Sequence, residues 1–463
     1  MSIKKILYIF VIYIKIFNII YAINYISFNF NRNFTENLED SDLMSELFHN
    51  NIYSNIEIGT PIQNIPVQFK LQNYPFFIID NEETTINCNK YNYFLSSTYK
   101  EIENIELDFE ECVNASKSIE NFNIFNKKLE KINFLNCKKI FEKTYIREGG
   151  IIGLNLDNGS GEHTNILDYN FIKILKKNNV VSDYYFYFNF DKNSNPFNTK
   201  GKINFGALPH EIGDERYKLD NYKIVNAASF QLKLNWAFEF ETFEIYNKFN
   251  NSIINYTLIN NAYLYPEIGF IIAPNNYLND LNEIFFNKLN ENECILDQFE
   301  TNDLFNFKNN KILKYYKCNK NINLKNFPLI KFYHKQLDKY FEFNSNDLFF
   351  EYKNKIYFNI VFQDNLSYFW YLGLPFFKKY DIYFNWEKKT IGIYTKLENI
   401  KNNSSFKKFI IIFIIFLIIT VIILSFLLYK NIINKRKTRA NELLEYVEYK
   451  ENDKQNNKLG INN

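Results

Sequence analysis

Side chains able to do chemistry are spread through this chain, and most fall into no working pattern. The four histidines, His49, His163, His210 and His334, show no spacing that would gather metal ligands. No Gly-X-Ser-X-Gly turn presents a serine nucleophile, and no glycine-rich loop cradles phosphate. The net charge is +2 and the basic residues form no stripe outside the C-terminal tail, so no field points to nucleic acid. No cofactor, metal or nucleic-acid partner is therefore expected. The five cysteines, in a chain read as secretory, suit disulfides better than catalysis. Cys294 and Cys318 flank a polar, aromatic segment and are expected to pair. Among Cys88, Cys112 and Cys137 the pairing stays open, with one thiol left over.

The elements that must carry any site are short and β-rich. The 463 residues are 46% apolar and 19% aromatic, with 49 Phe and 35 Tyr, enough for a large core. From Asn55 onward, short alternating runs are broken by Asn, Asp, Gly and Pro. The stretch Asn55–Asp80 organises the rest. It has a strand with Ile56 and Ile58, the turn Gly59-Thr60-Pro61, and a second strand with Ile65, Val67 and Phe69 that ends in Lys70-Leu71-Gln72-Asn73. Next come Tyr93–Lys100 (YFLSSTYK), Gly149–Leu154 (GGIIGL), and a helix over 165–176 with Ile166, Phe171, Ile172 and Leu175 in one stripe. A strand over 183–190 and the hairpin segment Gly201–Gly206 close the first half. The second half opens with a period-two strand from Trp236 to Ile245, passes through Ala262–Pro274, and reaches Gly373 within Tyr371–Tyr380.

In type and order these segments resemble the pepsin-like aspartic proteases, over about Ser54 to Tyr394. The resemblance implies an all-β, bilobal pepsin-like fold, with a lead-in at 23–54, an N-terminal lobe at 55–225 and a C-terminal lobe at 226–398. It also matches Cys294 and Cys318 to the family's C-terminal-lobe disulfide. In that family the Ile-Gly-Thr-Pro turn and its strand deliver one Asp-Thr-Gly, and a run ending in Pro delivers the other. Counting from the turn places Lys70 at the first aspartate; anchoring on Pro274 places Tyr265 at the second. Neither Asp-Thr-Gly nor Asp-Ser-Gly occurs anywhere in the chain.

The chemistry of such a site needs two carboxylates sharing a proton, one acting as base toward water and the other as acid toward the carbonyl. Asp80 lies well past the first position, and Glu267 would need the second loop rebuilt. The resemblance therefore implies a scaffold without its catalytic pair. The cleft residues it points to are Lys70, Gln72, Phe109 (near the flap tyrosine, in the segment Glu106–Phe125), Tyr265 and Glu267, with Gly153 and Gly373 structural. A buried, unpaired ammonium is costly, so the Lys70 head is expected to reach solvent in the cleft or to find a partner such as Glu267. The function expected is a non-catalytic ectodomain that binds a peptide or protein in its cleft. The alternatives are an active, divergent aspartic-type endopeptidase and a structural surface ectodomain with a closed cleft.

The ends set the location. Lys4 and Lys5, an apolar stretch from Ile6 to Tyr21 and Ala22 read as a signal peptide over 1–22. Phe409–Tyr429 is an uncharged apolar run of 21 residues, long enough to span a bilayer. Lys430, Lys435, Arg436, Lys437 and Arg439 follow it and place the tail at 430–463 in the cytoplasm, against Lys407 and Lys408 on the other flank. The expectation is a single-pass type I membrane protein of the secretory pathway or plasma membrane. Asn-X-Ser/Thr sequons at Asn33, Asn114, Asn158, Asn250, Asn255, Asn365, Asn402 and Asn403 make it a candidate glycoprotein, although an Asn-rich chain generates such triplets by chance.

Overall fold

The computed structural model describes residues 24–32, 38–49, 52–71, 75–83, 87–106, 112–124, 127–140, 148–156, 169–194, 196–230, 233–247, 251–257, 260–289, 293–302, 310–364, 369–397 and 404–459. The expected signal peptide, Gln72, Phe109 and six of the eight sequons lie outside these residues; Asn114 and Asn255 lie within them and are exposed. Residues up to Glu398 form one unit and Asn399–Asn463 a second.

Strands dominate the first unit. The hairpin Tyr53–Ile58 and Gln63–Lys70 forms as the alternation dictates, with Ile56, Ile58, Ile65, Val67 and Phe69 on the buried side. Gly59 turns it with φ of +88°, in the region that favours glycine. This hairpin sits inside a 13-stranded sheet that runs from Tyr222–Asn226 at one edge to Lys100–Glu106 at the other. Two late strands, Ile382–Asn385 and Thr390–Tyr394, join the same sheet beside Tyr185–Phe190. The second half builds a nine-stranded sheet and a four-stranded one. Aromatic rings fill the space between layers: Phe28 lies 5.9 Å from Phe69, 6.0 Å from Phe171 and 5.9 Å from Phe205.

Both halves share one crossing pattern. Gln63–Lys70 pairs in parallel with Gly150–Gly153, which pairs antiparallel with Phe77–Ile79. Asn260–Leu264 pairs in parallel with Trp370–Leu372, which pairs antiparallel with Ile271–Pro274. In each half a strand runs in, a loop leaves, and a later segment threads between the two. Trp236 ties the halves together, its indole N–H donating to the Leu154 carbonyl at 2.7 Å, and the Trp386 indole donates to the adjacent Asn155 carbonyl at 2.8 Å.

The lead-in at 23–54 contains the strand Ile26–Asn31, which pairs with Lys200–Phe205, and a helix at Asp40–His49. The helix expected over 165–176 is described from Phe171 to Lys177, where Asn170 caps it by accepting from the Ile172 and Lys173 N–H groups. Two disulfides form, Cys294–Cys318 as expected and Cys112–Cys137 in the first half, leaving Cys88 as the free thiol.

The second unit contains a helix over Ser404–Leu459. Within the run 409–429, side chains are described at Thr420 and from Leu424 onward. Among the described residues, no helix is long and apolar enough to cross a membrane. The expected span therefore falls mostly outside the described side chains.

Candidate functional site

Backbone register fixes where the two central loops begin. Lys70, the last residue of its strand, lies opposite Gly153, and the Leu154 N–H donates to the Lys70 carbonyl at 2.9 Å. In the second half Leu264 pairs with Leu372, so the next residue, Tyr265, falls beside Gly373; its N–H donates to the Leu372 carbonyl at 3.0 Å. Gly373 has no room for a side chain: a Cβ there would sit 2.1 Å from the Phe270 carbonyl oxygen and 2.6 Å from that of Ile268. The loop after Tyr265 closes as a turn, with the Ile268 N–H on the Tyr265 carbonyl at 3.1 Å. Lys70 and Tyr265 thus occupy equivalent points of two similar crossings, and both are buried.

A charged cluster lies beneath these loops. Glu267 is 3% exposed, and Arg32, at the end of the strand Ile26–Asn31, is 0% exposed. The Arg32 guanidinium donates through Nη2 to the Glu267 backbone carbonyl. Its Nε and Nη1 have no hydrogen-bond partner among the described residues. Burial pushes the Glu267 carboxyl up to about 7, against the N–H groups of Glu267 and Leu71 and the charges of Lys70 and Arg32, which pull it down. Burial likewise lowers Arg32 to about 10, with the Glu267 charge opposing. Among the described residues, the cluster beside these loops brings the Glu267 carboxyl together with the cations of Lys70 and Arg32.

Every other buried carboxylate among the described residues has a structural partner. Asp80 accepts from Asn136 Nδ2 at 2.7 Å and from the Glu82 N–H at 3.0 Å. It also stands at the far end of the strand opposite Lys70: Ile79 bonds to Gly149, whereas Lys70 pairs with Gly153. Four residues of strand separate those points by roughly 13 Å. Glu83 accepts from the Ile140 N–H at 2.7 Å, and Glu148 accepts from Gln68. Glu120 accepts from Tyr91, from Ser96 at 2.7 Å, and from Thr98. Because the Thr60 N–H also donates to Ser96 Oγ at 2.9 Å, the Ser96–Thr98 segment clamps the Gly-Thr-Pro turn to the strand carrying Glu120.

The helix Asp40–His49 packs directly on the second loop. Leu43, Met44 and Leu47 are fully buried against Tyr263, Tyr265, Ile268 and Phe270. The Leu47 carbonyl accepts from the Gly269 N–H at 2.8 Å, and a Cβ on Gly269 would meet Leu47 Cδ2 at the same distance. Asp40 anchors the start of the helix to Lys355 at 2.6 Å and Lys317 at 2.9 Å. His49 anchors its end, 3.0 Å from Thr301 Oγ1.

A β-scaffold with two equivalent strand-crossing loops meeting over a buried centre is the architecture of an aspartic-protease-like protein. The family model for eukaryotic aspartyl protease matches residues 51–396, well over half of the chain, so the chain belongs to the eukaryotic aspartyl protease family. No curated protein matches it.

Of the residues singled out in the sequence, the structure brings Lys70 and Glu267 within electrostatic reach and places Tyr265 on the same loop as Glu267. Sequence reasoning missed Arg32. A signal was there, since it is one of five arginines in a chain whose other cations are lysines.

Proposed function

We propose that this chain is a non-catalytic, membrane-anchored member of its family whose ectodomain binds a peptide or protein segment in the cleft. The observation that carries the proposal is the occupancy of the two equivalent loop starts: an amine at Lys70 and a phenol at Tyr265. Neither can share a proton with a partner carboxylate at mildly acidic pH, where family chemistry operates through a pair of acids. Beside these loop starts the buried carboxyl of Glu267 lies with two cations, Lys70 and Arg32, which suits a structural cluster. A cleft between two halves accommodates an extended chain without needing chemistry.

Glu267 also motivates a second reading, an active divergent peptidase, because a carboxyl that protonates near neutrality is the kind of group such enzymes use. A peptidase assay at acid pH, with and without a pepstatin-type inhibitor, separates the two. The binding reading predicts no inhibitor-sensitive cleavage; cleavage blocked by the inhibitor and abolished by Glu267→Gln would replace it with the second. If the protein is silent, capture of bound segments by wild type and by Lys70→Glu decides the role of the cleft. Equal capture would leave a structural module with a closed cleft.

A further inference from the structure

Beside Gly269 and Leu374 lies a cavity of about 460 Å³, well inside the range of ligand sites. Part of its wall is apolar, formed by Phe350, Leu374 and Pro375. Two cations on it have carboxylate neighbours: Lys379 pairs with Asp347 at 2.6 Å, and Lys192 stands 3.8 Å from Asp381. Lys378 differs. It is half-buried, it donates to the Ser194 carbonyl, and no carboxylate forms an ion pair with it among the described residues. Burial lowers its pKa, Asp191 pulls it back, and the charge of Arg32 adds to the lowering. An ammonium has three donors, and one is used, so two remain for a ligand. On the same wall Asn359 is 5% exposed, and its Oδ1 has no partner among the described residues.

We propose that this cavity binds the free C-terminal end of a peptide whose last side chain is apolar. The terminal carboxylate bonds to Lys378, the last backbone N–H donates to Asn359 Oδ1, and the last side chain packs on Phe350, Leu374 and Pro375. A chain terminus is the ligand that offers an anion, an adjacent N–H donor and an apolar group within one residue. The assignment is independent of whether the central cleft holds a ligand.

The test is calorimetric titration of the full-length protein in detergent with N-acetyl-Ala-Ala-Phe as free acid, with its C-terminal amide, and with inorganic phosphate. The free acid should bind, and the amide should bind at least tenfold more weakly. Lys378→Met should weaken the free acid at least tenfold while leaving the amide unchanged, and Asn359→Ala should weaken both. Equal binding of acid and amide, or no binding of either, overturns the proposal on wild-type protein alone. Phosphate binding as tight as the peptide would overturn it in favour of a simple anion pocket.

Discussion

Glu267 and His334 are buried titratable residues whose environments push stability in opposite directions with pH. Glu267 is held up at about 7 by burial, against an ordinary value of 4.5. Its folded state binds the proton more tightly, so its contribution is complete below pH 4.5 and is lost as pH rises through 7. His334 is enclosed by Phe238 and Phe240, with ring centres at 5.5 and 6.0 Å, and accepts from the Leu337 N–H at 3.4 Å. Burial depresses it from 6.5 to about 4, outweighing the opposing effect of its own backbone hydrogen bond. Its contribution is complete above pH 6.5 and is lost as pH falls through 4. Each is worth about 3 kcal/mol, so the two nearly cancel between pH 4.5 and 6.5. Urea unfolding at stepped pH should therefore show the wild-type advantage over Glu267→Gln shrinking by about 3 kcal/mol from pH 4.5 to 7. The advantage over His334→Phe should grow by about 3 kcal/mol from pH 4 to 6.5. Parallel curves for wild type and both variants would refute this electrostatic account.

At the scale of elements, the hairpin Tyr53–Lys70 was legible because period-two alternation and a Gly-Thr-Pro turn leave little choice. The helix Asp40–His49 was not. Its stripe of Leu43, Met44, Leu47 and Phe48 has helical spacing, but it is under three turns long and embedded among Asn, Asp and Glu, where it passes for a polar linker. The Cys112–Cys137 bond was equally hidden, because irregular pairing between the strands Cys112–Ile124 and Lys127–Ile140 decides which thiols meet. Arg32 reaches Glu267 across 235 residues of sequence, a partnership no local pattern announces. The helix is expected to act as a fixed brace on the second loop. Leu47→Ala should cost about 3 kcal/mol, as for other fully buried leucines. Asp40→Asn, which loosens partly exposed ion pairs, should cost about 1 kcal/mol. Denaturant midpoints measure both. If the leucine variant were as stable as the wild type, the helix would be an ornament on the loop rather than its support.

For the whole molecule, family membership extends over residues 51–396, and the apolar run at 409–429 lies beyond it. We propose that this run anchors the ectodomain to a membrane, with the basic cluster from Lys430 to Arg439 on the cytoplasmic side. The full chain should then resist extraction by alkaline carbonate and dissolve in detergent, whereas a chain ending at 398 should be released. Carbonate extraction of the full chain would remove the anchor from the proposal. The same cells test the sequons: glycosidase treatment should shift the mass if exposed Asn114 or Asn255 carries a glycan, and an unshifted mass would place neither site in use.

The chain has three tryptophans, and all are buried, at 3% for Trp236, 0% for Trp370 and 8% for Trp386. The Trp236 indole bonds across the seam between the halves, whereas Trp386 stays with the 13-stranded sheet, where Lys173 stands 4.7 Å from its ring. Trp370 instead lies within the second half, against Phe243 and Phe332. Intrinsic emission thus contains a built-in strain gauge and its reference. In single-tryptophan variants, a segment that wedges the halves apart should red-shift Trp236 while Trp370 keeps its colour.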